Sequence, residues 1–294
     1  MMKFVSAPGT YGLQRPWAFA MIIVALACPV LSRPASAQEV ATDWIDGERH
    51  RARLFAGDVD GAVPGTVTAF IEMTMDKGWK TYWRNPGTAG GIPPEFNWTA
   101  SKNVAKADVL FPVPKVSSDK AGDVIGYREY AIFPVRITPV DAAAPVEIDV
   151  SVNYGICEKL CVPAETRFTL TVPPGKLPPA GADAQRAYDA VPRSGRDLKP
   201  GDPTGLRVER PAGTSGVIRL SADFPGDASV AAMFLAVDSG RFLPMPVRQG
   251  TTGERVAFDL VFSNPDDLAV LKGAAVSVVM AGEKGHSEDR FIID

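Results

Sequence analysis

Apolar and polar residues alternate with a period of two along most of this chain. From Thr66 to Met75, Val67, Ala69, Ile71, Met73 and Met75 share one face. Thr66, Thr68, Glu72 and Thr74 share the other, with Phe70 the exception. The cleanest run sets Val146, Ile148, Val150, Val152 and Tyr154 against Glu147, Asp149, Ser151 and Asn153. Phe168, Leu170 and Val172 repeat it against Arg167, Thr169 and Thr171. A period of two marks a strand with one buried face, because successive side chains point to opposite sides of a sheet. Sustained helical periodicity is almost absent, which argues against repeated strand–helix–strand units. Short strands punctuated this densely by proline and glycine predict an all-β fold built as two β-sandwiches in tandem.

A break follows Val172. The stretch Pro173-Pro174-Gly175-Lys176-Leu177-Pro178-Pro179 is stiff and cannot continue a sheet. A short helix is expected over Ala182 to Ala190, ended by Pro192, and Lys199-Pro200-Gly201-Asp202-Pro203 closes the connection. Strand signals resume from Leu206, at Val217 to Leu220, Val230 to Val237, Val256 to Phe262 and Val276 to Met280. The predicted organisation is a first sandwich over 38–176, a linker over 177–203 and a smaller sandwich over 204–294. His286, beside Gly285, reads as a solvated loop residue.

The N-terminal 37 residues have a different character. Lys3 and Arg15 precede an apolar run from Trp17 to Leu31, broken only by Pro29, and Ala35-Ser36-Ala37 precedes Gln38. That order is a secretory signal, predicted to be cleaved, and the run is too short for a comfortable membrane span. Cys28 falls inside it, and Ala25 and Leu26 suit a lipid-attachment box poorly. The expected product is a soluble periplasmic protein without a membrane span. Cleavage removes Lys3, Arg15 and Arg33 and leaves 28 basic residues against 34 acidic ones, a net charge of −6. No long basic run remains, which disfavours nucleic acid and anionic membranes as partners.

Cys157 and Cys161 are then the only thiols the exported chain keeps. Such a pair reads as a staple, a metal clasp or a redox switch. If the strand from Val146 runs on through Ile156, Cys157 faces away from the core with Glu147, Asp149 and Asn153. Cys161, in the return strand, falls on the same polar face as Arg167 and Thr169. Both sulfurs are then expected to emerge on one face of a hairpin tipped by Glu158-Lys159-Leu160, within bridging distance. Closing a five-residue ring gains only about 2 kcal/mol in the chain-entropy model, against about 3 for a fifteen-residue loop. A staple would more usefully join the two sheets, whereas a short exposed disulfide exchanges readily. Lys159 favours a thiolate and Glu158 opposes it.

For a metal, two thiolates suit Cu(I), with Met73 and Met75 as added thioether ligands. Zinc would need two further ligands, and no histidine lies near the pair; His50 is distant in sequence. The methionines alternate on an apolar face, where core packing explains them. A phosphate loop and a nucleophile elbow are missing, and two histidines are too few for a dispersed triad. No helical pattern follows Cys161, so a thioredoxin fold is not expected.

Further residues carry a resemblance. Gly78-Trp79-Lys80-Thr81-Tyr82-Trp83-Arg84-Asn85-Pro86-Gly87, followed by Gly91-Ile92-Pro93-Pro94-Glu95-Phe96-Asn97-Trp98, resembles the signature of DsbD-type periplasmic disulfide reductases. Tyr154-Gly155-Ile156-Cys157, then Cys161-Val162-Pro163-Ala164-Glu165, is similar to their N-terminal redox hairpin. The likeness covers Asp43 to Val172 and is closer to the ScsB branch, linked with suppression of copper sensitivity. It implies an immunoglobulin-like sandwich that takes two electrons from a thioredoxin-like donor or membrane reductase. These would pass to oxidised periplasmic proteins through Cys157 and Cys161, without a cofactor. The chain would thus be one component of a protein-disulfide reductase.

The family shields its pair with a loop, for which Ser117 to Tyr127 stands here, with Val124, Ile125 or Tyr127 as the covering residue. Trp79, Tyr82, Trp83 and Arg84 either frame the redox face or cap the core, and normal burial of aromatics favours the core. The chain ends at Asp294 without the family's membrane and thioredoxin-like domains, so the expected electron donor is a separate protein. A Cu(I)-binding protein and a non-catalytic interaction module with a structural disulfide are the alternatives.

Overall fold

The computed structural model describes Gly9, Gly12 and residues 39–294 except 120, 121, 238–240 and 242. The predicted signal segment, its cleavage site and Cys28 lie outside the described residues. The first half supplies β1 (Val40–Ala41), β2 (Ile45–Gly47), β3 (His50–Ala56), β4 (Val67–Met75), β5 (Lys80–Tyr82) and β6 (Glu95–Asn97). It continues with β7 (Val104–Val109), β8 (Lys115–Asp119), β9 (Gly122–Arg128), β10 (Tyr130–Pro139), β11 (Val146–Cys157) and β12 (Cys161–Val172). Helix α1 (Ala182–Asp189) precedes β13 (Thr204–Glu209), β14 (Val217–Asp223), β15 (Ala232–Val237), β16 (Val247–Thr252) and β17 (Arg255–Val261). Helix α2 (Pro265–Val270), β18 (Ala275–Ala281) and β19 (His286–Ile292) complete the chain.

The all-β fold expected from the alternation is the one observed. One sheet runs β1-β3-β4-β10-β7, with β2 on β3. The facing sheet runs β12-β11-β5-β9-β8, with β6 on β11. Leu54, Ile71, Met73, Phe133 and Val135 from the first sheet meet Val146, Ile148, Val150, Val152, Tyr154 and Phe168 from the second. Burying such side chains is the main force holding the two sheets together. A second sandwich pairs the sheets β13-β14-β17-β16 and β15-β18-β19 around Leu220, Phe258, Leu260, Val276 and Val278.

Phe70, the exception in its strand, is explained by packing. It stacks on Phe55 with ring centroids 5.0 Å apart and lies under Ala184 of α1. The helix covers the outer face of the first sheet, so β4 is buried on both sides. Glu72 is tolerated there because Arg53 Nε donates to it at 2.7 Å and the Tyr130 hydroxyl at 2.8 Å. The stretch read as a linker is likewise docked: Leu177 enters the first core, and Asp58 exchanges backbone hydrogen bonds with Pro178 and Ala180. His286 also departs from its expected place. It opens β19 opposite Ala281, and burial, then the Arg193 charge, depress its pKa.

Both sandwiches belong to one compact unit. Trp83 and Ile125 from the first join Phe234, Ala236, Val279 and Ala281 from the second in a shared apolar cluster. Arg84 pairs with Glu288 at 3.0 Å, and Asn85 Nδ2 donates to the Leu235 carbonyl at 2.9 Å.

Candidate functional site

The ladder between β11 and β12 is continuous from Val146 opposite Val172 to Cys157 opposite Cys161, without a bulge. Pro163 sits in it without disturbing the register, because β12 is an edge strand and one of its backbone sides needs no partner. The hairpin tip is Glu158-Lys159-Leu160, and Leu160 is 81% exposed. Cys157 and Cys161 form a disulfide with Cα atoms 4.2 Å apart.

The expected parity holds, with both sulfurs on the side of the sheet away from the core. The expected exposure holds only for Cys161. Cys157 is 2% exposed, in a cluster with Tyr82, Val124 and Ala89. Two features of the fold bury it. Strand β5 lies beside β11, with Lys80 opposite Cys157, and β9 lies beyond β5. The chain after β5 then crosses back over this face. Gly91, at φ 152°, lies so close to the Tyr82 ring that a Cβ there would fall 2.3 Å from it. Ile92 passes over Gly155, whose N–H donates to the Ile92 carbonyl at 2.9 Å.

Tyr82 closes the site from above. Its hydroxyl lies 2.9 Å from Cys161 Sγ, and since a disulfide sulfur carries no proton, the hydroxyl donates. Lys80, two residues earlier on the same face, is 4% exposed and donates from Nζ to the Glu158 carbonyl at 3.4 Å. Thr81 between them points the other way and donates to the Gly155 carbonyl at 3.0 Å. Sequence reasoning passed over Lys80; its two-residue spacing from Tyr82 was the available signal.

The other anticipated residues separate. Segment 117–127 is mostly the β8–β9 hairpin rather than a loop, with 120 and 121 outside the described residues. Val124 packs on Cys157, whereas Ile125 joins Trp83 between the sandwiches. Tyr127 packs edge-on against Phe133, donates to the Pro112 carbonyl at 2.7 Å, and has its pKa pushed up by burial. Of the four aromatic-motif residues, Tyr82 frames the sulfurs. Trp83 and Arg84 tie the sandwiches together, and Trp79 packs against the first core. Met73 and Met75 lie in the first core, not with the cysteines. Among the described residues, no three His, Cys, Asp or Glu side chains converge as a metal site. His50, distant in sequence, is buried beneath the hairpin. Its Nε2 lies 2.6 Å from the Tyr154 hydroxyl, which in turn meets Thr166 Oγ1 at 2.8 Å.

Residues 52–173 match the family described as thiol:disulfide interchange protein DsbD, N-terminal. This stretch is a DsbD-type N-terminal domain. The chain is also similar to the N-terminal periplasmic domain of ScsB from Proteus mirabilis, whose crystal structure it matches with a TM-score of 0.63. Identity is 20%, over 87% of this chain and 99% of that one, so this likeness concerns the fold and extends across both sandwiches. No curated protein sequence matches the chain. The first sandwich is the immunoglobulin-like sandwich of DsbD N-terminal domains, and its family role is thiol–disulfide exchange. In the DsbD-type domain, the cysteine pair sits where β5, β9 and the 87–92 crossing converge. Among the described residues, no helix is long and apolar enough to cross a membrane.

Proposed function

We propose that this protein is a periplasmic electron relay. It would take two electrons from a thioredoxin-like donor or membrane reductase and hand them to oxidised partner proteins through Cys157 and Cys161. The observation that carries this reading is the asymmetry of the disulfide: Cys161 is exposed at an edge strand, while Cys157 is covered by Tyr82 and Val124. A macromolecular thiolate approaches at the exposed Cys161 and not at the covered Cys157, so Cys161 takes the partner and Cys157 is released. A purely structural clip of five residues would gain about 2 kcal/mol and would need no such one-sided access. In the same reading Val124 is the shielding residue. Residues 1–37 are removed on export, and 204–294 form a second domain buttressing the first across the Trp83 cluster.

Single-cysteine trapping tests the relay. The Cys157→Ala variant, which keeps the exposed thiol, accumulates mixed disulfides with periplasmic proteins, and Cys161→Ala does not. Absence of adducts in both variants, together with a wild-type disulfide resistant to reduced thioredoxin, would leave an inert clip. Stoichiometric Cu(I) binding without exchange would leave a copper carrier instead.

A further inference from the structure

We propose that β5 assigns one stabilising group to each sulfur, Lys80 to Cys157 and Tyr82 to Cys161, so that the two thiolates released during exchange are each stabilised in turn. The proposal rests on the exchange reading above. Lys80 and Tyr82 are two residues apart on one strand, so both side chains emerge on the same face. Cys157 stands opposite Lys80 in the ladder and therefore shares that face. Nζ of Lys80 is held at the Glu158 carbonyl, one residue beyond Cys157, and the Tyr82 hydroxyl is already on Cys161 Sγ. A fully buried lysine is uncommon, and an apolar side chain would fill the space without desolvating a charge. Its burial on the face it shares with Cys157 points to an electrostatic task. Among the described residues, Arg128, opposite Lys80 on β9, and Glu158, whose carboxylate lies against Gly78, are further charged groups near this strand.

The chemistry uses both groups in sequence. A donor thiolate attacks Cys161 Sγ, the bond to Cys157 breaks, and its electron pair goes to Cys157 Sγ. A mixed disulfide now joins donor and Cys161. Cys157 departs as a thiolate in a closed site, where the ammonium of Lys80 favours the charged sulfur. The donor's second thiolate then attacks the donor sulfur of the mixed disulfide, and the electron pair passes to Cys161 Sγ. That thiolate accepts the Tyr82 hydrogen bond. The donor dithiol has become a disulfide, the protein pair has gained two electrons, and protons from solvent complete the dithiol.

The test follows the wild-type protein, Tyr82→Phe, Lys80→Met and Lys80→Arg in two measurements. Reduced protein is alkylated with iodoacetamide across a pH series and each cysteine is read by mass spectrometry. Oxidised protein is mixed with dithiothreitol and the first exchange step is timed. In the wild type, Cys161 alkylates with a midpoint below the ordinary thiol value of about 8.5. Tyr82→Phe raises that midpoint, with about tenfold less thiolate at neutral pH, equivalent to one pH unit. Lys80→Met slows the first step about tenfold, and Lys80→Arg restores most of it. An unshifted Cys161 midpoint in the wild type overturns the proposal even where a variant fails to fold. So do variants that exchange within twofold of wild type. Failure of the wild type to exchange with dithiothreitol at all would sink the relay itself, and this assignment with it.

Discussion

Gly91→Ala is a one-carbon probe of how the cysteine site is closed. The added Cβ would lie 2.3 Å from Cε1 and Cζ of Tyr82 and 2.7 Å from Cδ1, where ordinary contact begins near 3.4 Å. Relief by moving the ring outward is blocked, because Tyr82 is 2% exposed and bounded by Val124, Ala89 and Cys157. Overpacking of this kind costs about 1–3 kcal/mol. The backbone at φ 152° adds about 1–3 kcal/mol for any residue other than glycine. The sum, about 2–6 kcal/mol, is a large part of the 5–15 kcal/mol typical of a folded domain. Equilibrium urea unfolding of the oxidised protein measures it as a fall in midpoint at constant slope. The same displacement pulls the Tyr82 hydroxyl off Cys161, so the accessible sulfur reacts differently with dithiothreitol in the variant. A midpoint within about 0.5 kcal/mol of wild type, the range of neutral surface changes, would refute the crossing of 87–92 over Tyr82 as the closure.

Two further outcomes follow from the junction between the sandwiches. Trp83→Ala empties the fully buried centre of the cluster with Phe234 and costs about 3–5 kcal/mol. Loss of cooperativity between the sandwiches would show as a second calorimetric transition, and a single unchanged transition would count against the junction. Asp202 is buried and receives two hydrogen bonds from Arg193, at 2.8 Å and 2.5 Å. Burial pushes its carboxyl up, yet Arg193 and the Lys199 and His286 amides outweigh burial and leave the pKa below the ordinary value. A depressed folded pKa stabilises above the unfolded value of about 3.9 and is lost as pH falls through the folded one. Asp202→Asn should therefore lose about 3 kcal/mol at neutral pH, with a shallower decline than wild type below pH 4. Parallel urea midpoints at pH 7 and pH 3 decide it, equal declines being the contrary result.

Much of the fold was legible because sheets impose a period of two. The runs in β4, β11 and β12 announced strands and the correct inward residues, and the ladder preserved their parity through to the sulfurs. Strands β13 and β16 gave no such signal, since nearly all their residues are exposed and nothing selects apolar ones. Burial on the far side of a sheet was invisible for the same reason. Alternation predicts which face meets the core, and it is silent about whether another element lies across the other face. That is why Phe70 looked anomalous and Cys157 looked exposed.

The amino-acid order alone determined an all-β chain, a hairpin tipped by three residues, and two sulfurs brought opposite one another on one face. These are local properties, set by side-chain alternation and turn chemistry. Only the tertiary structure decided that the sulfurs are unequal. Lys80, Tyr82, Ala89 and Val124 reach the pair from 33 to 81 positions away, through the pairing of β5 with β11 and β9. Such long-range pairings depend on how two sheets and a crossing segment fill one space, which no nearest-neighbour pattern encodes.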